Sequence, residues 1–327
     1  MHVNRTDLLM PVVLLLVGHA GCTDSNTETS LEQSAMDRES IPRNRIAIDL
    51  PPYSEISENP LIHLYAPEAD YGRARADSKY VMERLVYSSD GLEVVAFLYR
   101  PKESKNAQPT IVFNRGSYVR QDAAPEHLVS FHRLAEAGYS ILAPMYRGSE
   151  GAAGQDQMGG EDVNDLMRVA ALADELASVD GSKLYLYGES RGGMMVLQAI
   201  REGFPARAAA VFGAPTDFHR LINEEPERYE AVADQLWPEW RAKPEEILGR
   251  RSAVTWAERI NTPLLIMHGG NDQSMPVNQS LALAGRLQEL GKVYEMHIFG
   301  YENHRISGRA LARDAQAVEW FERHSAN

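Results

Sequence analysis

From Tyr80 onwards, short apolar runs alternate with amphipathic stretches, and this alternation constrains the fold more than any other feature of the chain. The runs "TIVFN" (110–114), "SILAPMYR" (140–147), "KLYLYGE" (183–189), "AAAVFGA" (208–214), "PLLIMHGG" (263–270) and "VYEMHIFG" (293–300) have strand length. Their near-continuous apolar character suits strands buried on both faces. Between them, 125–137, 160–178, 191–202, 276–290 and 308–324 read as helices. Strands separated by helices are βαβ units, which predicts an α/β domain with a mostly parallel central sheet and helices on both faces. Ahead of them, "YVMERLVYS" and "LEVVAFLYRP" flank "SDG", an antiparallel hairpin with Gly91 supplying a positive φ. One segment, 217–259, holds helical pieces and no strand. It is expected to form a helical cap insertion at the C-terminal edge of the sheet, where open α/β sheets carry their sites.

The first 22 residues have a different character. Arg5 precedes an apolar stretch, 8–17, followed by small residues, the pattern of a secretory signal. That stretch is too short to span a bilayer as a stable helix. Cys22 is the only cysteine, so no intramolecular disulfide can form. Its place after His19-Ala20-Gly21 resembles the lipobox of bacterial lipoproteins, which implies lipidation at Cys22 and anchoring to a membrane. The alternative is plain cleavage after Ala20. Either way the chain is expected to be exported. Residues 23–40 are polar and acidic and read as a flexible tether. Residues 41–79 read as an arm, and 80–327 as the catalytic domain.

Ser190 stands in Gly188-Glu189-Ser190-Arg191-Gly192, a G-x-S-x-G sequence with a strand-like "LYLY" before it and a helix-like "MMVLQAI" after it. In that context the serine sits on a sharp turn, with a helix N-terminus behind it that offers unpaired N–H groups to a developing oxyanion. A serine needs a base. The elbow therefore predicts an acid and then a histidine at later strand ends. "PLLIMHGGNDQSMP" delivers Asp272 and "VYEMHIFGYENHRI" delivers His304. In this reading His304 takes the proton from Ser190, and Asp272 orients the imidazole. The bland alternatives are a serine in a Gly-rich turn and an aspartate capping a helix. They do not explain the joint order and context. His268, in "HGG", is expected to make structural hydrogen bonds.

These residues, with "NRGSY", "YRGSEGAAGQDQMGGEDVNDL", "GESRGG" and "FGYENH", resemble the prolyl oligopeptidase family of serine peptidases within the α/β-hydrolase fold. The resemblance covers roughly 80–327. It implies a peptidase acting through an acyl-enzyme on peptides or small amides. It also implies an oxyanion hole built from the Arg191 backbone N–H and from the end of the first parallel strand. Relatives end that strand in His-Gly-Gly or Tyr-x-Gly; here Asn114-Arg115-Gly116-Ser117 stands there. The Asn114 side-chain amide is expected to donate in place of a tyrosine hydroxyl, with Arg115 beside it. Where relatives often carry a basic residue after the aspartate, this chain has Gln273. The stretch between Cys22 and Tyr80 is too short for the β-propeller of larger members. The same machinery cleaves esters, so a carboxylesterase or acetyl esterase is the alternative, and a non-catalytic binding protein on a hydrolase scaffold the third reading.

Tyr118, Trp237 and Trp240 are the candidate substrate-binding residues, although two tryptophans so close in a helical stretch equally suit core packing. Asp162 and Asp165 lie one helical turn apart. They raise the thought of a metal, against the plainer reading of acidic residues at a helix start. The chain has no H-E-x-x-H, no Cys/His cluster and no phosphate loop, so no metal and no cofactor are expected. A formal net charge of −13 argues against a nucleic-acid binder, which needs a basic face to neutralise phosphates.

Overall fold

The computed structural model describes residues 43–59, 62–117 and 123–326. Cys22, the signal and tether segments and Tyr118 lie outside them. The chain runs from strand β1 (Arg43–Ala47) through three short helices, α1 (Tyr53–Ile56), α2 (Ile62–Tyr65) and α3 (Glu68–Ala76). It continues into the hairpin β2 (Tyr80–Ser89) and β3 (Leu92–Pro101), then β4 (Gln108–Asn114), α4 (Ala123–Glu136), β5 (Ser140–Pro144) and α5 (Asp162–Glu175). After these come β6 (Val179–Glu189), α6 (Arg191–Arg201) and β7 (Ala206–Phe212).

Helices α7 (Phe218–Glu224), α8 (Pro226–Leu236) and α9 (Pro244–Arg250), with a 3-10 turn at Ala253–Arg259, then precede β8 (Leu264–Gly269). The chain closes with α10 (Asn278–Glu289), β9 (Tyr294–Phe299) and α11 (Ala310–Arg323).

The strands form one nine-stranded sheet in the order β1-β2-β3-β5-β4-β6-β7-β8-β9. Pairings from β5 to β9 are parallel; β1, β2 and β3 pair antiparallel, and β3 is antiparallel to β5. This is the α/β architecture that the alternation predicts. The hairpin turns at Asp90 and Gly91, both with positive φ. The one strand the sequence pattern does not announce is β1, whose "RNRIA" has neither apolar alternation nor a buried run.

Alternation along each strand sorts the core into two layers. On β6, Leu184 and Leu186 pack into one cluster with α5, α6 and α10, while Tyr185 and Tyr187 pack into the other with α4 and α11. β4 divides the same way, with Val112 on one face and Ile111 and Phe113 on the other. Helices therefore cover both faces, and the parallel strands deliver their C-terminal ends to one edge. The arm of short helices lies on the α4 side. The Tyr71 ring is fully buried and its hydroxyl donates to the Pro51 carbonyl, and Asp70 pairs with Arg133 of α4 at 3.2 Å.

Candidate active site

Ser190 is the residue between β6 and α6. Its backbone has φ 51° and ψ −122°, a conformation that costs a non-glycine residue on the order of 1–3 kcal/mol and persists only where the surroundings enforce it. Two features enforce it here. The Ser190 N–H donates to the Phe212 carbonyl at 2.8 Å, fastening the turn to the end of β7. The end of β4 lies directly on the first turn of α6, so a Cβ on Gly192 would collide with the Asn114 and Arg115 carbonyl oxygens. Glycine is required there by close approach of backbone.

Asp272 and His304 come from the loops after β8 and β9, two further strand ends on the same edge. His304 Nδ1 lies 2.7 Å from Asp272 Oδ2. A carboxylate only accepts, so Nδ1 carries the proton and Nε2 is left as the acceptor. The imidazole packs on Gly213, where a Cβ would fall 2.9 Å from His304 Cε1; Gly213 also has a φ of +58°. Gly213 directly follows Phe212, whose carbonyl holds Ser190, so the imidazole and the serine meet the same strand end. Among the described residues no hydrogen bond joins Ser190 Oγ to His304. Such contacts are often long in unliganded sites and tighten with substrate.

The Asp272 carboxylate is buried and closely held. Its Oδ1 accepts the N–H groups of Ser274 and Met275, each at 2.8 Å. Its Oδ2 accepts from His304 and lies 3.1 Å from His268 Nε2. Burial by itself pushes this carboxyl up. The hydrogen bonds from His268 and His304, the attraction of His304 and the Met275 N–H outweigh it, holding Asp272 well below the usual carboxylate range. His268 is fully buried and makes these contacts through both ring nitrogens. Its Nε2 proton faces the Asp272 carboxylate and the Met275 carbonyl, both acceptors, and its Nδ1 is hydrogen-bonded to the Ser280 hydroxyl at 2.7 Å. Sequence reasoning gives His268 a structural role but not its second partner, the Asp272 carboxylate.

On the other side of Ser190 the expected Asn114 donor is corrected. Asn114 is fully buried, its Oδ1 accepts the Tyr146 hydroxyl at 2.9 Å, and its Nδ2 donates to the Val112 carbonyl at 3.0 Å. The amide is committed to the sheet and to β5's exit. The Arg115 guanidinium is likewise buried, donating to the Gly116, Ser117 and Met145 carbonyls and to Ser149. What Asn114 and Arg115 contribute is a backbone laid against the start of α6.

A buried ionic cluster fixes that backbone. The Arg191 side chain donates to both oxygens of Asp156 at 2.8 Å, to Asp162 and to the Ser117 carbonyl. It lies 4.3 Å from the Tyr146 ring centroid, and Arg115 lies 5.2 Å from the same ring. Asp162 also accepts the Gly159 and Gly160 N–H groups. Asp165, one turn on, takes Arg147. Both aspartates at the start of α5 are therefore counter-ions of buried arginines, which neither the metal nor the dipole reading anticipates. Among the described residues no cluster of His, Cys, Asp and Glu suits a metal ion.

The two tryptophans of the 217–259 segment are core residues. Trp237 donates its indole N–H to the Gln157 carbonyl, packs edge-on against Phe218, and carries Arg251 at 4.2 Å over its ring. Trp240 donates to Asp234. Both are buried and their N–H groups are satisfied within the protein, as core packing requires. The segment reaches the acid loop by other residues. Arg228 donates to the Gln273 and Ser274 carbonyls and Tyr229 to the Ser274 carbonyl, bracing Asp272 from outside.

The model of the prolyl oligopeptidase family matches residues 128–327, which hold Ser190, Asp272 and His304. The chain belongs to the prolyl oligopeptidase family. By family it is a serine-type peptidase. The uncharacterized peptidase YtmA of Bacillus subtilis (strain 168) is 26% identical over 240 residues, covering 72% of this chain and 91% of that protein. The uncharacterized peptidase YuxL of the same organism is 25% identical over 268 residues, and there the match covers 39% of the longer protein. Among solved structures, the Pyrococcus horikoshii acylaminoacyl peptidase superposes with a TM-score of 0.63 at 20% identity, covering 76% of this chain and 42% of that one. A puromycin-hydrolyzing peptidase of Mycobacterium tuberculosis superposes with the same score and identity, 76% and 40% covered. These likenesses establish an α/β-hydrolase fold of the kind family members share. The chain spans about two fifths of both structures.

Proposed function

We propose that this chain is an exported serine peptidase that works through an acyl-enzyme on Ser190. The observation that carries the reading is the 2.7 Å bond between His304 and Asp272, with the imidazole seated on Gly213 beside the carbonyl that fastens Ser190. His304 Nε2 takes the Ser190 proton as Oγ attacks the substrate carbonyl. The imidazolium is stabilised by Asp272, which stays ionised. The tetrahedral oxyanion meets the Arg191 backbone N–H at the start of α6. His304 returns its proton to the leaving amine. Water then enters by the same base, and Ser190 regains its proton as the acid departs.

Peptides and small amides are the substrate class. Relatives named acylamino-acid-releasing enzymes, from Oryza sativa and Arabidopsis thaliana, and a dipeptidyl-peptidase 5 of Porphyromonas gingivalis support that choice. Export rests on the sequence of residues 1–22 and lipid anchoring on Cys22.

A fluorophosphonate probe tests the chemistry. The expected result is one adduct, on Ser190, lost in His304→Ala. A folded protein that takes no label there would overturn the reading. Aminoacyl-anilides set beside p-nitrophenyl esters then test the substrate class. A protein that cleaves only the esters is an esterase.

A further inference from the structure

Glu189 precedes the candidate nucleophile and Arg305 follows the candidate base, and the two side chains meet. Arg305 Nη1 donates to Glu189 Oε1 at 2.6 Å, with the Glu189 side chain 4% and the Arg305 side chain 17% exposed. The contact joins the end of β6 to the loop after β9 across 116 residues of chain. Tyr65 of α2, in the N-terminal arm, completes it. Its hydroxyl donates to the same Glu189 oxygen at 3.2 Å, and the Arg305 guanidinium carbon stands 3.1 Å from its ring centroid. The Arg305 carbonyl is held separately by Arg313 of α11, itself paired with Asp314. The charged and titratable groups around this point include Glu189 from β6, Arg305 from the His304 loop, Arg313 with Asp314 from α11, Arg133 of α4 paired with Asp314, and His127 of α4 edge-on to the Tyr65 ring. His304 itself faces Asp272.

We propose that Tyr65, Arg305 and Glu189 form a positioning clamp that sets the distance between Ser190 Oγ and His304 Nε2, so that the arm is part of the catalytic apparatus. The proposal rests on the Ser190–His304 reading above. The physical reason is leverage. Ser190 and His304 are each one peptide unit from a residue of the clamp, so a change in the Glu189–Arg305 separation passes directly to the pair. A displacement of about 1 Å in such a pair lowers rates by up to about 10²-fold. The clamp is also the contact through which the arm touches both loops at once. A carboxylate this buried needs a charged partner, and the bidentate-capable, ring-stacked arginine is one.

The test is the second-order rate at which a fluorophosphonate labels Ser190, read in the full chain with its pH profile. Glu189→Gln with Arg305→Met removes the ion pair without leaving either charge unpaired. It is expected to fold and to label about tenfold more slowly. Tyr65→Ala should slow labelling less, and Tyr65→Phe less again. The single changes carry a signature that loss of packing does not produce. Arg305→Ala leaves a carboxylate beside the imidazole loop and moves the acid limb of the profile to higher pH. Glu189→Gln leaves a cation and moves it to lower pH. A neutral pair that folds and labels at the wild-type rate overturns the clamp, as do single variants whose limbs move together. Wild-type protein that takes no label at Ser190 overturns the Ser190 reading instead, and the clamp with it.

Discussion

The two sides of Ser190 are held by different chemistry. On the Asp272 side one carboxylate gathers two imidazoles and two backbone N–H groups. On the Arg191 side, two guanidinium groups, two carboxylates and a phenol are packed beyond reach of solvent. In the proposed reaction the first side changes charge. The second is built to keep its charges fixed while it holds backbone in place. Substitutions on the first side should therefore cost rate, and substitutions on the second should cost stability.

The largest effect expected on that division is Ser190→Ala, or His304→Ala. Either should lower turnover of a peptide or ester substrate by about 10⁴-fold with the thermal midpoint little changed. A loss below tenfold would mean that the reaction does not pass through this pair.

Asp162→Ala probes the opposite side. It leaves Arg191 with Asp156 as its remaining carboxylate and strips the Gly159 and Gly160 N–H groups of their Asp162 acceptor. Breaking a buried pair by removing one partner costs about 3–5 kcal/mol. A urea titration should show that loss, with the remaining folded protein turning over within a few-fold of wild type. A stable but inactive Asp162→Ala would show that the ionic side takes part in chemistry and would break the comparison.

Tyr146→Phe is a milder version of the same test. The hydroxyl donates to Asn114, so its removal leaves a buried amide oxygen without its donor, at about 1–3 kcal/mol. The ring stays between the guanidinium groups. Stability should fall and rate should hold.

The fold was legible because βαβ alternation is a local signal repeated along most of the chain, and the strand-like and helix-like readings sit close to the observed elements. The strand ends that bring Ser190, Asp272 and His304 to one edge were legible for the same reason: each follows an apolar run. What was not legible is partnership. Nothing near Arg191 in sequence announces Asp156 or Asp162, and nothing near Tyr65 announces Glu189. Asn114 shows the limit most plainly. A side-chain amide at a strand end can serve either the open edge or the sheet, and only the Tyr146 hydroxyl, 32 residues on, decides which. β1 escaped notice because an edge strand paired on one side needs no apolar face to be held.

The finest test of the comparison is His268→Gln, since His268 touches the reactive side without being placed in the proton path. Losing its hydrogen bond to an ionised carboxylate costs about 1.5–3 kcal/mol and should appear partly in rate and partly in stability. The pH dependence separates this from simple repacking. Asp272 is depressed in the folded protein, so its contribution is fully present above the unfolded carboxylate value of about 3.9. It is lost as pH falls through the still lower folded value. Below about pH 4 the part of the gap between wild type and His268→Gln that comes from Asp272 should therefore shrink, as Asp272 takes up a proton. Urea titrations across that range read it directly. A gap that stays constant into acid would assign His268 to packing alone, and a gap that widens there would mean that Asp272 is not the carboxylate it serves.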